Sequence, residues 1–238
     1  MLSQQLHHCQ YYCIFVDDYS RFTWYYTLQH KDQLADAFKH FKARIENESG
    51  TKIKILHTDH GGEFISNSLQ KYLKEHGIIH RTSAPYTPEQ NGTAERMNRT
   101  IMESARAMLF QTNINIRFWP HACATSVHIK NRLPHSSLNG ITPYEKFHNK
   151  APTIDHLKVF GCKAYLLKQT RTKLDRKSDA CIFVTTPSNT ILRLAIIFSG
   201  LFDNADETHQ ENVASKASLL RLLKLLLKKS QRPLRNAI

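Results

Sequence analysis

The chain has 238 residues, 41% of them apolar, with 33 lysines and arginines against 20 acids for a net charge of +13. That length and apolar content hold one large or two small domains with a real core, and no apolar run approaches the roughly 18 residues of a membrane span. Five cysteines (Cys9, Cys13, Cys123, Cys162, Cys181) include no Cys-x-x-Cys, which excludes a disulfide scaffold and fits a reducing compartment; the cationic excess favours a polyanionic partner, although charge also serves solubility.

Residues 1–10 are polar and His-rich and lack a signal-peptide pattern. The spacing of His7, His8, Cys9 and Cys13 matches no closed zinc site. Tyr11 to Val16 and Phe22 to Leu28 are rich in aromatic and branched residues and flank the turn-forming Asp17-Asp18-Tyr19-Ser20, so a hairpin is expected. Asp17 and Asp18 read as turn residues rather than metal ligands. Leu34, Phe38, Phe41 and Ile45 mark one face of a helix over Asp32 to Glu48, and Gly50 follows its end. Ile53, Ile55 and Leu56 lead a strand to Asp59, after which Gly61-Gly62 lets the backbone bend sharply. A helix from Ser68 to His76 follows, with Asn67 and Gln70 as a capping box, Leu69, Tyr72 and Leu73 as its buried stripe and Gly77 as its stop. Ile78 to Thr82 is a short strand.

The loop Ser83 to Gly92 is restricted by Pro85 and Pro88 and loosened by Gln90-Asn91-Gly92. A helix then opens around Glu95, with apolar residues at Met97, Ile101, Ala105 and Met108. Glu95, Arg99, Met102 and Arg106 share one face. Two readings of that face stand: guanidinium groups gripping phosphate, or Arg99 paired with Glu95 or Glu103 in a salt-bridged surface. Thirty-five residues separate Asp59 from Glu95. A carboxylate at a strand end and one in the first turn of a later helix can converge on a divalent cation, and phosphoryl transfer uses two such ions about 3.5–4 Å apart. Phe118-Trp119-Pro120 begins a helix to about Asn131, with Cys123, Val127 and Leu133 as packing residues. Thr142-Pro143 caps another, Tyr144 to His148. Lys158 to Leu167 and Ala180 to Val184 read as strands in a region made basic by Lys163, Lys168, Arg171, Lys173, Arg176 and Lys177. From Val213 to Ile238 there are seven basic residues and no acid, with Leu219, Leu220, Leu222, Leu223, Leu226 and Leu227 opposing Arg221, Lys224 and Lys228. That pattern is a basic amphipathic helix suited to a membrane surface, a partner groove or nucleic acid.

Thr58-Asp59-His60-Gly61-Gly62-Glu63-Phe64, followed by Ala84-Pro85-Tyr86-Thr87-Pro88-Glu89-Gln90-Asn91-Gly92-Thr93-Ala94-Glu95-Arg96-Met97-Asn98-Arg99-Thr100, resembles the integrase core of copia-type retrotransposon Pol polyproteins. Phe15 to Arg21 and Phe160-Gly161-Cys162 fit the same family, and the resemblance covers roughly residues 11–184. It implies an α/β fold with a ribonuclease-H-like mixed sheet flanked by helices, then further helices and a small β-rich appendage. The implied divisions are 1–110 (core, incomplete at its N-terminus), 111–150 (helical extension), 151–185 (basic β-rich unit) and 186–238 (divergent tail). The implied chemistry is metal-dependent strand transfer, in which a 3′-hydroxyl of element DNA attacks target DNA. Asp59 and Glu95 match the second and third metal-binding carboxylates, Mg²⁺ or Mn²⁺ is the implied cofactor, and Gln90, Asn91, Asn98, Arg99 and Arg106 are the expected DNA contacts. The family's first catalytic Asp, in an Asp-x-x-Gly-Pro setting on the preceding strand, has no counterpart; the pattern places it upstream of Met1. His60 stands where the family usually has Asn, and His57 and His60 flank Asp59 as weaker substitutes for the missing ligand. DNA and further copies of the chain are the expected partners, with no small-molecule substrate, and the nucleus, after a cytoplasmic particle stage, is the expected compartment. The alternatives are an inactive nucleic-acid-binding remnant, a fragment with no selected activity, and a related nuclease of the same fold class.

Overall fold

The computed structural model describes residues 9–59, 61–82, 92–167, 173, 177–184 and 194–197. They fall into two compact units, one comprising Met1–Phe15 and Trp24–Met102, the other Val16–Thr23 and Glu103–Ile238. His7 and His8, His60, the loop with Gln90 and Asn91, the cations Lys168, Arg171 and Arg176, and the Leu-rich tail lie outside the described residues.

β1 (Tyr11–Val16) and β2 (Thr23–Leu28) form the expected hairpin; its strands lie largely in the first unit, while its turn, Val16–Thr23, belongs to the second. Gln10 N donates to Leu28 O at 3.1 Å and Asp17 N to Phe22 O at 2.9 Å. The Asp17 carboxylate accepts from Ser20 N and Ser20 Oγ at 2.8 and 2.5 Å, and Asp18 pairs with Arg21. Both aspartates are therefore consumed by the turn, as their sequence setting suggests. Helix α1 (Leu34–Ser49) buries Leu34, Phe38, Phe41 and Ile45. Phe41 stacks on Phe15 with ring centroids 4.3 Å apart and meets Trp24 at 5.1 Å. Each such ring removed from water contributes roughly 1.5–3 kcal/mol, so this aromatic cluster is the main tie between hairpin and helix. The helix ends where Gly50 adopts φ +68° and donates to Glu46 O at 3.0 Å, a left-handed cap that only glycine takes without strain.

Strand β3 (Ile55–Thr58) pairs in parallel with β4 (Ile79–Thr82), Ile55 opposite Ile79 and Thr58 opposite Thr82. Helix α2 (Asn67–Glu75) connects them, with Leu69 and Leu73 buried. Helix α3 (Gly92–Thr112) follows.

In the second unit, α4 (Trp119–Lys130) buries Ala122, Cys123, Ala124, Thr125, Ser126 and Val127 in succession. Asn131, just past its end, clasps the backbone of one residue: Oδ1 accepts from Thr23 N at 2.9 Å and Nδ2 donates to Thr23 O at 2.8 Å. Helix α5 (Pro143–His148) starts as expected, with Thr142 Oγ1 accepting from Glu145 N at 3.0 Å. Strands β5 (Lys163–Leu167), β6 (Ser178–Val184) and β7 (Leu194–Ile197) form an antiparallel sheet. None of the five cysteines is joined in a disulfide, and no helix among the described residues is long and apolar enough to cross a membrane.

The class is mixed α/β, as expected, and among the described residues the strands pair in sheets of two, two and three. Several local expectations need correction. Asn67 and Gln70 form no capping box: Ser66 is the N-cap, without a side-chain bond, and Gln70 turns to other partners. Residues Lys31–Gln33 make a 3-10 turn, so the first α-helix starts at Leu34 and not Asp32. The strand expected from Lys158 begins only at Lys163, because Gly161, at φ +77°, turns the chain just before it. β7 lies beyond the point where sequence patterning gave any strand.

Candidate metal and nucleic-acid site

Asp59 is the first residue past the carboxyl end of β3 and is exposed. In open α/β structures ligands gather beyond the carboxyl ends of parallel strands, and β3 and β4 end side by side at Thr58 and Thr82. Two hydrogen bonds set the conformation of Asp59. Its Oδ1 accepts from Gly61 N at 3.1 Å, and its carbonyl accepts from Thr58 Oγ1 at 2.9 Å. Thr58 itself is buried, so the exposed carboxylate leaves from a fixed base.

From the end of β4 the chain passes to α3, whose first turn carries Glu95. An acid in a first turn is favoured by the positive helix end. Glu95, Asn98, Arg99 and Arg106 are all exposed, while Ile101 and Ala105 bury the opposite face. The Tyr12 hydroxyl of β1 donates to Asn98 Oδ1, which ties α3 to the hairpin and leaves the Asn98 amide hydrogens for another acceptor. Arg99 makes no ion pair with Glu95 or Glu103 among the described residues; the ion pairs there lie elsewhere, as at Lys42–Glu46 and Lys39–Asp36. The salt-bridged reading of this face is thus not the one adopted. Arg106 belongs to the second unit.

Asp59 and Glu95 both belong to the first unit. Carboxylate oxygens are the hard donors that Mg²⁺ and Mn²⁺ take, with further positions filled by water or phosphate. Among the described residues no group of three His, Cys, Asp or Glu is gathered as a metal centre. His57 is exposed beside Asp59 without entering such a group. The donor chemistry of each acid suits a divalent cation.

Sequence reasoning missed the polar network behind Asp59. His80, on β4, approaches Thr58 Oγ1 with Nε2 at 2.9 Å and Gln70 Nε2 with Nδ1 at 2.7 Å. Gln70 Nε2 also donates to Phe64 O at 2.9 Å. Burial holds the His80 pKa below its ordinary value. The signal was available: Ile78 and His80 alternate with exposed Ile79 and Arg81, which puts His80 on the inward face. A depression of about 490 Å³ is lined by Gln70, Lys71, Leu73, Lys74, Ile78 and His80. Neither acid lines it, so it is not the cation site.

Residues 6–88 match the family model of the integrase core domain. The chain is 44% identical over 177 residues to the retrovirus-related Pol polyprotein from transposon TNT 1-94 of Nicotiana tabacum, covering 74% of this chain and 13% of that protein. It is 42% identical over 177 residues to the Pol polyprotein from transposon RE2 of Arabidopsis thaliana, covering 74% and 12%. The chain thus spans about an eighth of the length of the curated relatives it matches. Among solved structures, the catalytic core domain of BIV integrase aligns with a TM-score of 0.45 at 21% identity, over 58% of this chain and 85% of that one.

Proposed function

We propose that this chain is an integrase core related to those of copia-type transposon Pol polyproteins, and that it serves metal-dependent DNA strand transfer. The observation that carries this reading is the placement of the two acids, Asp59 at the carboxyl end of a parallel strand and Glu95 in the first turn of α3. Those two carboxylates are the groups that would hold Mg²⁺ or Mn²⁺, which supplies activation of the attacking hydroxyl and neutralisation of charge on the phosphate. Arg99 and Arg106, exposed on α3, and the Asn98 amide suit contacts to phosphate oxygens. Gln90 and Asn91 are proposed to hold a DNA end from the loop before α3. A homo-oligomer, and action in the nucleus, belong to the same proposal.

The family pattern needs one more carboxylate, on a strand between the hairpin and β3. Among the described residues β1–β2 and β3–β4 share no ladder, which supports reading this set of residues as impaired unless a further acid completes the site. That same observation favours a second reading, a nucleic-acid-binding remnant that retains the surface without turnover. A strand-transfer assay with labelled oligonucleotides in Mg²⁺ or Mn²⁺ separates them. Joined product from the wild-type chain, abolished by Glu95→Gln, establishes the first. Salt-sensitive DNA binding without product establishes the second, and no DNA binding at all overturns both.

A further inference from the structure

The hydrogens of the network behind Asp59 can be assigned by elimination. Gln70 Nε2 is an amide nitrogen and only donates. One of its hydrogens goes to Phe64 O at 2.9 Å and the other to His80 Nδ1 at 2.7 Å. Turning the amide over would set two oxygens against each other at Phe64, so the orientation is fixed. His80 Nδ1 therefore accepts and bears no hydrogen. The neutral ring carries its hydrogen on Nε2, which donates to Thr58 Oγ1 at 2.9 Å. The Thr58 hydroxyl, having accepted, spends its one hydrogen on Asp59 O at 2.9 Å. Each donor of this relay meets an acceptor, and the direction runs outward from α2 to the strand end.

We propose that His80 is a positioning residue for Asp59: held as the Nε2–H tautomer by Gln70, it directs the Thr58 hydroxyl onto the Asp59 carbonyl and so fixes the base of the candidate cation-binding carboxylate. The importance of this for cation binding rests on the reading of Asp59 given above; the hydrogen-bond relay does not. Partners at this remove from a ligand set its orientation in the way that groups hydrogen-bonded to metal-binding carboxylates do. The arrangement also explains why Gln70 is not spent on capping α2. It is the only donor in the relay able to satisfy a carbonyl and a ring nitrogen together.

The test uses the full chain and a pair of variants that split the two functions of the ring. His80→Asn keeps an acceptor near the Nδ1 position and removes the donor to Thr58. His80→Gln keeps a donor at the reach of Nε2. ¹⁵N resonances of the wild-type ring are expected to show the Nε2–H tautomer. The Gly61 amide, which donates to Asp59 Oδ1, is expected to exchange faster in His80→Asn, with Mn²⁺ binding, followed by electron paramagnetic resonance, weakened about tenfold. His80→Gln restores most of both. Thr58→Val, close to isosteric, is expected to reproduce His80→Asn and serves if that variant does not fold. An Nδ1–H tautomer overturns the proposal, as does wild-type Gly61 exchange in both His80→Asn and Thr58→Val. If Asp59→Asn binds Mn²⁺ as well as the wild type does, the cation reading fails, and Gly61 exchange alone decides the positioning role.

Discussion

Arg99 and His128 show how much a single side chain's surroundings determine. Arg99 is exposed on α3 and pairs with neither Glu95 nor Glu103 among the described residues, which supports its proposed contact with DNA phosphate. Arg99→Ala should weaken DNA binding and reduce the slope of log affinity against log salt by about one phosphate contact's worth. An unchanged slope in a salt titration would show that Arg99 touches no phosphate. His128 lies in the second unit, its Nδ1 3.2 Å from an Arg132 nitrogen and its ring 5.8 Å, edge to face, from His156. Burial, then the charges of Arg132 and His156, push its pKa down to about 4. In the unfolded chain a histidine takes up its proton near pH 6.5. Between those values the unfolded state binds more protons, so the contribution of His128 to stability is complete above about pH 6.5 and is lost as pH falls toward 4. Urea midpoints measured from pH 7.5 to 5 should fall more steeply for the wild type than for His128→Gln. Equal slopes would contradict the assignment. His80, His121 and His135 are also shifted down, so the variant retains part of the slope.

At the scale of elements, the helices and the hairpin were legible because their determinants are local. Phe38 and Phe41 fall on the face that the helical period dictates, and both are buried. Thr142-Pro143 announces α5 through a cap three residues long. What stayed hidden depends on partners distant in sequence. Asn131 clasps Thr23 across 108 positions, and His80 reaches Thr58 across 22; no spacing rule encodes either. Gln70 was misread because its position matches a capping box, while its side chain is drawn away by Phe64 and His80. Of the candidate site, the two acids were legible from their settings at a strand end and a helix start, and the relay that orients one of them was not. Gly161 carries an element-scale prediction. A Cβ there would lie 2.5 Å from Ile114 Cδ1 and 2.8 Å from Thr112 Cβ, with φ at +77°. Gly161→Ala should therefore destabilise the chain by more than about 1 kcal/mol, combining backbone strain with a clash. A denaturation midpoint equal to the wild type's would mean that the turn before β5 yields freely.

The whole molecule combines a net charge of +13, an integrase core domain match over residues 6–88, and two acids placed at the ends of elements in one unit. The charge favours a polyanionic partner but supplies no chemistry; under the proposed function, the acids supply it only if they act together on one cation. The most direct measurement is a double-mutant cycle on Mn²⁺ affinity, read by electron paramagnetic resonance, with Asp59→Asn, Glu95→Gln and the pair. Shared coordination predicts that either substitution alone costs nearly as much as both, a strongly non-additive cycle. Losses that simply add, or Mn²⁺ binding indifferent to both changes, would contradict a common site for Asp59 and Glu95.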